Sequence, residues 1–118
     1  MRTTHLLSLL LVAGGIAACG GDGLGDATGS TCPTTQTLTY ANFGQMFVQS
    51  HCLACHSATG PESPKLDTLA QVRAAASDID RAAAAGPNAV NTYMPDGSSV
   101  DEAERRKLGE WLACGAPE

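Results

Sequence analysis

Cys52-Leu53-Ala54-Cys55-His56 is a complete Cys-x-x-Cys-His run, the pattern through which c-type haem is attached to a chain. The chemistry explains the spacing. Each vinyl group of the porphyrin forms a thioether with one thiol, and two intervening residues let a single turn of chain reach both. The histidine next to the second thiol then lies under the iron and offers its proximal nitrogen. Two other readings of the same residues are weaker. A structural zinc site wants four ligands, commonly with a second Cys-x-x-Cys or a His pair, and the sequence downstream holds neither. A thioredoxin-like redox pair wants a βαβ setting, and strand-forming runs are nearly absent. The expectation is one covalent haem c on Cys52 and Cys55, with His56 as an iron ligand.

The context upstream agrees. Met1 to His5 is a short basic region, Leu6 to Val12 is apolar, and Ala13 to Ala18 is a small-residue tail. Residues 1–18 therefore read as an export leader, too short to span a bilayer. Haem of this type is attached after translocation, so leader and motif support each other. Ile16-Ala17-Ala18-Cys19 resembles a bacterial lipobox. That resemblance implies cleavage before Cys19 and acylation of it, and more than one acyl chain makes a stable anchor. An ordinary leader with an incidental Cys19 is the alternative. Gly20 to Ser30 is Gly-rich, polar and without periodicity, so residues 19–31 read as a lipidated cysteine and a flexible tether. The expected location is the bacterial cell envelope, as a periplasm-facing lipoprotein.

Residues 32–118 read as one small domain, near the lower size limit for an independent core. Two Tyr, two Phe and one Trp supply little aromatic bulk, and a covalent haem would add what is missing. The five cysteines divide without remainder: Cys19 for lipid, Cys52 and Cys55 for haem, and Cys32 with Cys114 at the two ends of the domain. In an oxidising compartment the last two are expected to form a disulfide; two free buried thiols are the alternative.

The periodicity predicts helices and loops, an all-α fold. Tyr40 to Ser50 carries Phe43, Met46 and Phe47 on one helical face leading into the haem motif, with Met46 expected in the core. Gly44 on that helix suggests a close crossing. Asp67 is the expected cap of a helix over Thr68 to Ala76, with Leu69 and Val72 inward. Ser77 to Asp80 resembles a second start, continuing through Ala85 to a stop at Gly86-Pro87. For the last helix, Ser99 with Glu102 fits a capping box. Acidic Asp101, Glu102 and Glu104 precede basic Arg105, Arg106 and Lys107, the order that the helix dipole favours. Val100, Leu108, Trp111 and Leu112 form its inner stripe, with Trp111 against the first helix. The basic triplet reads as a solvated face.

A sixth iron ligand has few candidates. His51 directly precedes Cys52, cannot reach the far haem face, and reads as a surface residue. Met94 lies in the loop Asn91-Thr92-Tyr93-Met94-Pro95-Asp96-Gly97, where Pro95 stiffens the chain and Asp96-Gly97 turns it. A thioether from such a loop is a suitable soft ligand, and His/Met ligation raises the reduction potential. Packing of Met94 on the haem edge is the alternative.

Taken together, a helix into Cys-x-x-Cys-His, a middle helical stretch, a Met-Pro loop and a terminal amphipathic helix with Trp resemble a class I cytochrome c. The likeness runs from about Thr39 to Gly115. Met94-Pro95 and Trp111-Leu112-Ala113-Cys114-Gly115 particularly resemble small monohaem domains of bacterial lipoproteins. The resemblance implies a small helical fold around one covalent haem, with thioethers at Cys52 and Cys55, His56 proximal and Met94 distal. It also implies first and last helices packed crosswise. Val48 stands where many relatives carry an aromatic.

The implied function is one-electron transfer, with no catalytic acid, base or nucleophile. Seven Lys and Arg against twelve Asp and Glu give a net charge of −5, and loss of Arg2 with the leader makes it −6. Such a chain does not seek nucleic acid. It suits a monomer docking transiently on basic patches of redox donor and acceptor proteins, held to the membrane by its lipid. Two rivals are a haem-based ligand sensor, in which Met94 does not hold the iron, and the cytochrome subunit of a larger periplasmic oxidoreductase.

Overall fold

The computed structural model describes residues 23–97 and 99–118, so the expected leader, Cys19 and residues 20–22 of the expected tether lie outside the described residues. A π-helical turn, Tyr40–Gly44, runs directly into α1, Gln45–His51. After Cys52 come α2, Leu53–His56; α3, Leu69–Ala74; α4, Ala76–Ala83; and α5, Glu102–Ala113. The described residues form a mostly helical globule without strands, an all-α architecture; one isolated antiparallel bridge joins Ala85 and Val90. Among the described residues no helix is long and apolar enough to cross a membrane.

The core forms where the first helix crosses the last. Trp111 is fully buried on α5. Its ring stacks with Tyr40 at 6.3 Å between centroids and meets Phe43 edge-on at 6.1 Å. Gly44 is what lets the helices approach: a β-carbon there would overlap the Trp111 ring. Phe47, Val48, Leu108 and Leu112 complete the contact. Met46, expected in this core, is instead 71% exposed. The π-helical turn is the reason. The Gly44 amide donates to Thr39 O at 3.1 Å, five residues back, and the Gln45 amide does the same to Tyr40 O. The extra residue in that turn rotates the helix beyond it, so Phe47 and Val48 face in and Met46 faces out.

Three helices are bounded differently from expectation. Thr68, not Asp67, caps α3, in a reciprocal box with Gln71. Asp101, not Ser99, caps α5, accepting from the Glu104 amide at 2.7 Å. In both cases the true cap sits where its oxygen meets the third helical amide. Helix α4 starts at Ala76 and stops at Ala83 rather than Ala85, because the next residues are engaged elsewhere. The Ala84 carbonyl accepts from the Asn91 amide at 2.9 Å and the Ala85 amide donates to Arg105 O at 3.0 Å.

Two further elements close the fold. The non-helical run from Gly23 to Thr31, expected as part of a flexible tether, lies along α4. The Gly25 amide donates to Arg81 O at 2.7 Å, and Arg81 Nε donates back to Gly25 O at 2.8 Å. Buried Thr28 donates its amide to Asp80 Oδ2 at 2.9 Å, and its carbonyl accepts from the Asn88 amide. The amides of a Gly-rich run still need partners, and α4 with its following loop supplies them. Cys32 and Cys114 are joined by a disulfide across a sequence separation of 82.

Candidate haem site

Helix α1 sets the start of the motif. The Cys52 amide continues the helix by donating to Val48 O at 2.9 Å. The amides of Cys55 and His56 both turn back on Cys52 O, at 3.2 and 2.9 Å. This single turn is what the two-residue spacing asks for. Cys52 is a free, half-buried thiol, and burial pushes it up to about 11. Cys55 is disulfide-bonded, so thioether formation at that position requires its reduction first.

The loop after the motif orients His56. It is drawn tight by the Leu66 amide on His56 O at 2.8 Å and the Glu62 amide on Cys55 O at 3.0 Å. Lys65 Nζ ties it further, donating to the carbonyls of Gly60 and Glu62 at 2.7 and 2.8 Å. This brings Pro64 O to 2.8 Å from His56 Nδ1. A carbonyl only accepts, so in the neutral ring Nδ1 carries the proton and Nε2 keeps its lone pair. That tautomer and fixed ring are the arrangement found where histidine binds a metal through Nε2.

His51, expected at the surface, is half-buried. Its ring packs on Phe47 at 4.9 Å between centroids, and Nε2 lies 3.7 Å from Glu104 Oε1. It bridges α1 to α5 instead of projecting into solvent.

Met94 is held at both of its peptide groups. Its amide donates to Ala82 O at 2.9 Å, and its carbonyl accepts from Arg105 Nη1 at 2.7 Å. Its side chain packs against the core. Arg105 is a buried residue at this site that the sequence pattern concealed. Expected on a solvated face, it is only 4% exposed. Its Nη1 also donates to the carbonyls of Ala83 and Asn91, at 2.7 and 2.9 Å, and its Nε to Val100 O at 3.2 Å. Burial lowers its pKa from the ordinary value, partly offset by neighbouring Glu104. The signal was present in the helical period: position 105 lies three before Leu108 and seven before Leu112, on the inner stripe. Arg106 fits the expectation, pairing on the surface with Glu102 Oε1 at 2.6 Å.

A cavity of about 380 Å³ joins these parts. Cys52, Cys55, His56 and His51 line it from the motif; Met94, Pro95 and Asp96 from the loop; and Leu66, Ile79, Ala82 and Ala83 from the core. Gly23 and Leu24 of the N-terminal strap line it as well. The alanines of α4 matter here, since larger side chains would fill the space. All four residues expected to hold haem therefore border one cavity of a size usual for small-molecule sites. The residues fit the group, given a reduced Cys55. Among the described residues no cluster of three or more His, Cys, Asp or Glu forms a metal site by itself. Comparison with protein-family models, curated proteins and solved structures returns no match.

Proposed function

We propose that this chain is a monohaem cytochrome c-like electron carrier, anchored to the cell envelope as a lipoprotein. The observation that carries the reading is the convergence of Cys52, Cys55, His56 and Met94 on one largely apolar cavity, with the His56 tautomer set by Pro64 O. Cys52 and Cys55 would hold the group covalently, and His56 Nε2 and Met94 Sδ would hold its iron. When bound, haem supplies an iron that exchanges one electron between its ferric and ferrous states.

The chain's own residues do the rest. Pro64 O keeps the His56 ring oriented and, in the neutral ring, leaves Nε2 as the nitrogen with the free lone pair. Buried Leu66, Ile79, Ala82 and Ala83 give the cavity an apolar wall, which would disfavour the more highly charged ferric state. A thioether on Met94 acts in the same direction, towards a higher potential. With His56 and Met94 both holding the iron, no position would be left for a substrate, which favours electron transfer over catalysis.

The test is a visible spectrum of mature protein made in a host that attaches haem, in both redox states. Haem that resists acid-acetone extraction is expected, with sharp low-spin ferrous bands and a weak far-red sulfur-to-iron band in the ferric form. M94A should lose that far-red band and keep the covalent haem. Covalent haem with a high-spin native spectrum would move the reading to a ligand sensor. Absence of covalent haem would refute the reading.

A further inference from the structure

Methionine has three rotatable side-chain torsions and little shape of its own. Its sulfur stays at one place only if the backbone beneath it is fixed. Here the carbonyl end of that fixation comes from a buried cation. Three carbonyls, of Ala83, Asn91 and Met94, lie within 2.9 Å of Arg105 Nη1. That nitrogen has two hydrogens, so at least one is shared. Among the described residues no carboxylate forms an ion pair with Arg105; its charge is spent on main-chain dipoles. Hydrogen bonds from a charged donor are the strong ones, more so away from water. The same residue gives its backbone carbonyl to the Ala85 amide at 3.0 Å. Arg105 thus clamps α5, the end of α4 and the Met94 loop together at one point.

We propose that Arg105 is the positioning residue for Met94, holding the loop so that the thioether stays at the haem cavity. The inference rests on the reading of Met94 as an iron ligand and goes beyond it. Without the clamp the Met94 carbonyl has no other partner among the described residues, and the loop opens while the rest of the core persists. Lysine does not substitute, because a single ammonium lacks the planar fork that reaches several carbonyls at once.

The experiment compares four haem-loaded proteins: native, R105Q, R105K and V72A. Val72 is fully buried on α3 and does not line the cavity, so V72A reports general destabilisation. Two readouts are taken: the far-red sulfur-to-iron band of the ferric form, and affinity for added imidazole, which competes with Met94. V72A is expected to melt earlier yet keep the native band and native imidazole affinity. R105Q and R105K are expected to lose much of the band and bind imidazole about tenfold or more tighter, since the open state is more populated. Native-like band and affinity in both Arg105 variants would overturn the proposal.

A native protein with no far-red band would overturn the ligand reading and the proposal with it, which is a distinguishable result. If neither Arg105 variant folds, the native ferric protein decides. Linkage is reciprocal, so imidazole displacement of Met94 should speed solvent exchange of the Arg105 guanidinium protons by about tenfold. Unchanged exchange would overturn the proposal.

Discussion

Replacing Gly44 with alanine should destabilise the protein, although helix propensity alone argues the reverse. In a helix interior alanine is favoured over glycine by ~1 kcal/mol. At Gly44 the added methyl carbon would lie 2.9 Å from Cε2 of Trp111 and closer still to Cη2 and Cζ2. Carbon atoms rest in contact at roughly 3.5–4.0 Å, so ring and helix must part by about 1 Å. The ring has nowhere to go. It is fully buried, stacked on Tyr40, and its Nε1 donates to Pro117 O at 3.2 Å. The whole crossing of α1 and α5 must therefore open, which also disturbs Phe47 and Leu108. Overpacking of a rigid core costs about 1–3 kcal/mol, and a contact this short belongs at the upper end. After the gain in propensity the net loss is ~1–2 kcal/mol, a fall in Tm of ~5–15 °C for a domain of this size. Thermal melts tracked by far-ultraviolet circular dichroism would measure it. Gln45→Ala, at an exposed position of the same helix, serves as the neutral control. A G44A protein as stable as the native one, or more stable, would refute the close crossing.

The same geometry sets other expectations. Removing the disulfide by C32S with C114S opens a loop with a sequence separation of 82; on the chain-entropy account the loss is about 4–5 kcal/mol, and an unchanged denaturant midpoint would contradict the pairing. D101A removes the α5 cap and should cost ~1 kcal/mol. R106A breaks only an exposed i,i+4 pair and should cost less than ~0.5 kcal/mol; a larger effect from R106A than from D101A in denaturant titrations would invert that ranking. In haem-free protein the Cys52 thiol is raised from 9.0 to about 11. The folded state then keeps a proton that the unfolded state releases, so this contribution is intact below pH 9.0 and lost as pH rises to about 11. Melts across that range should show a downward slope that is reduced in C52A, and equal slopes would refute it.

The residues proposed to hold haem stood out as candidates in the sequence because their signal is local. Cys52, Cys55 and His56 are set by consecutive spacing, and Met94 by its place in a short loop before proline. Trp111 and Gly44 were legible from helical period and from an anomaly, a glycine inside a helix. What failed was register and main-chain partnership. Met46 was placed on the wrong face because the π-helical turn at Tyr40–Gly44 leaves no mark in hydrophobic spacing. The strap at Gly23–Thr31 looked flexible because its anchors are carbonyls and amides of α4 and Asn88, together with Asp80, which composition does not reveal. Arg105 was hidden by its two basic neighbours, which made a buried residue look like one third of a solvated run.

These misses share a physical origin that bears on the site. Haem attachment needs thiols and a ring nitrogen, and those functional groups are written in residue types. Holding a flexible thioether in place needs fixed peptide groups, and any residue carries those. Ala82, Ala83, Ala84 and Ala85 illustrate the difference. As side chains they are small and nearly featureless, and they looked like a plain helix end. As backbone, Ala82 O accepts from the Met94 amide, Ala83 O from Arg105 Nη1 and Ala84 O from the Asn91 amide, and the Ala85 amide donates to Arg105 O. Small side chains are what allow the loop and α5 to come within hydrogen-bond reach of all four in succession. The alanine run is therefore the platform on which the Met94 loop is built, and bulk added there should act on the proposed Met94 ligation before it acts on the fold.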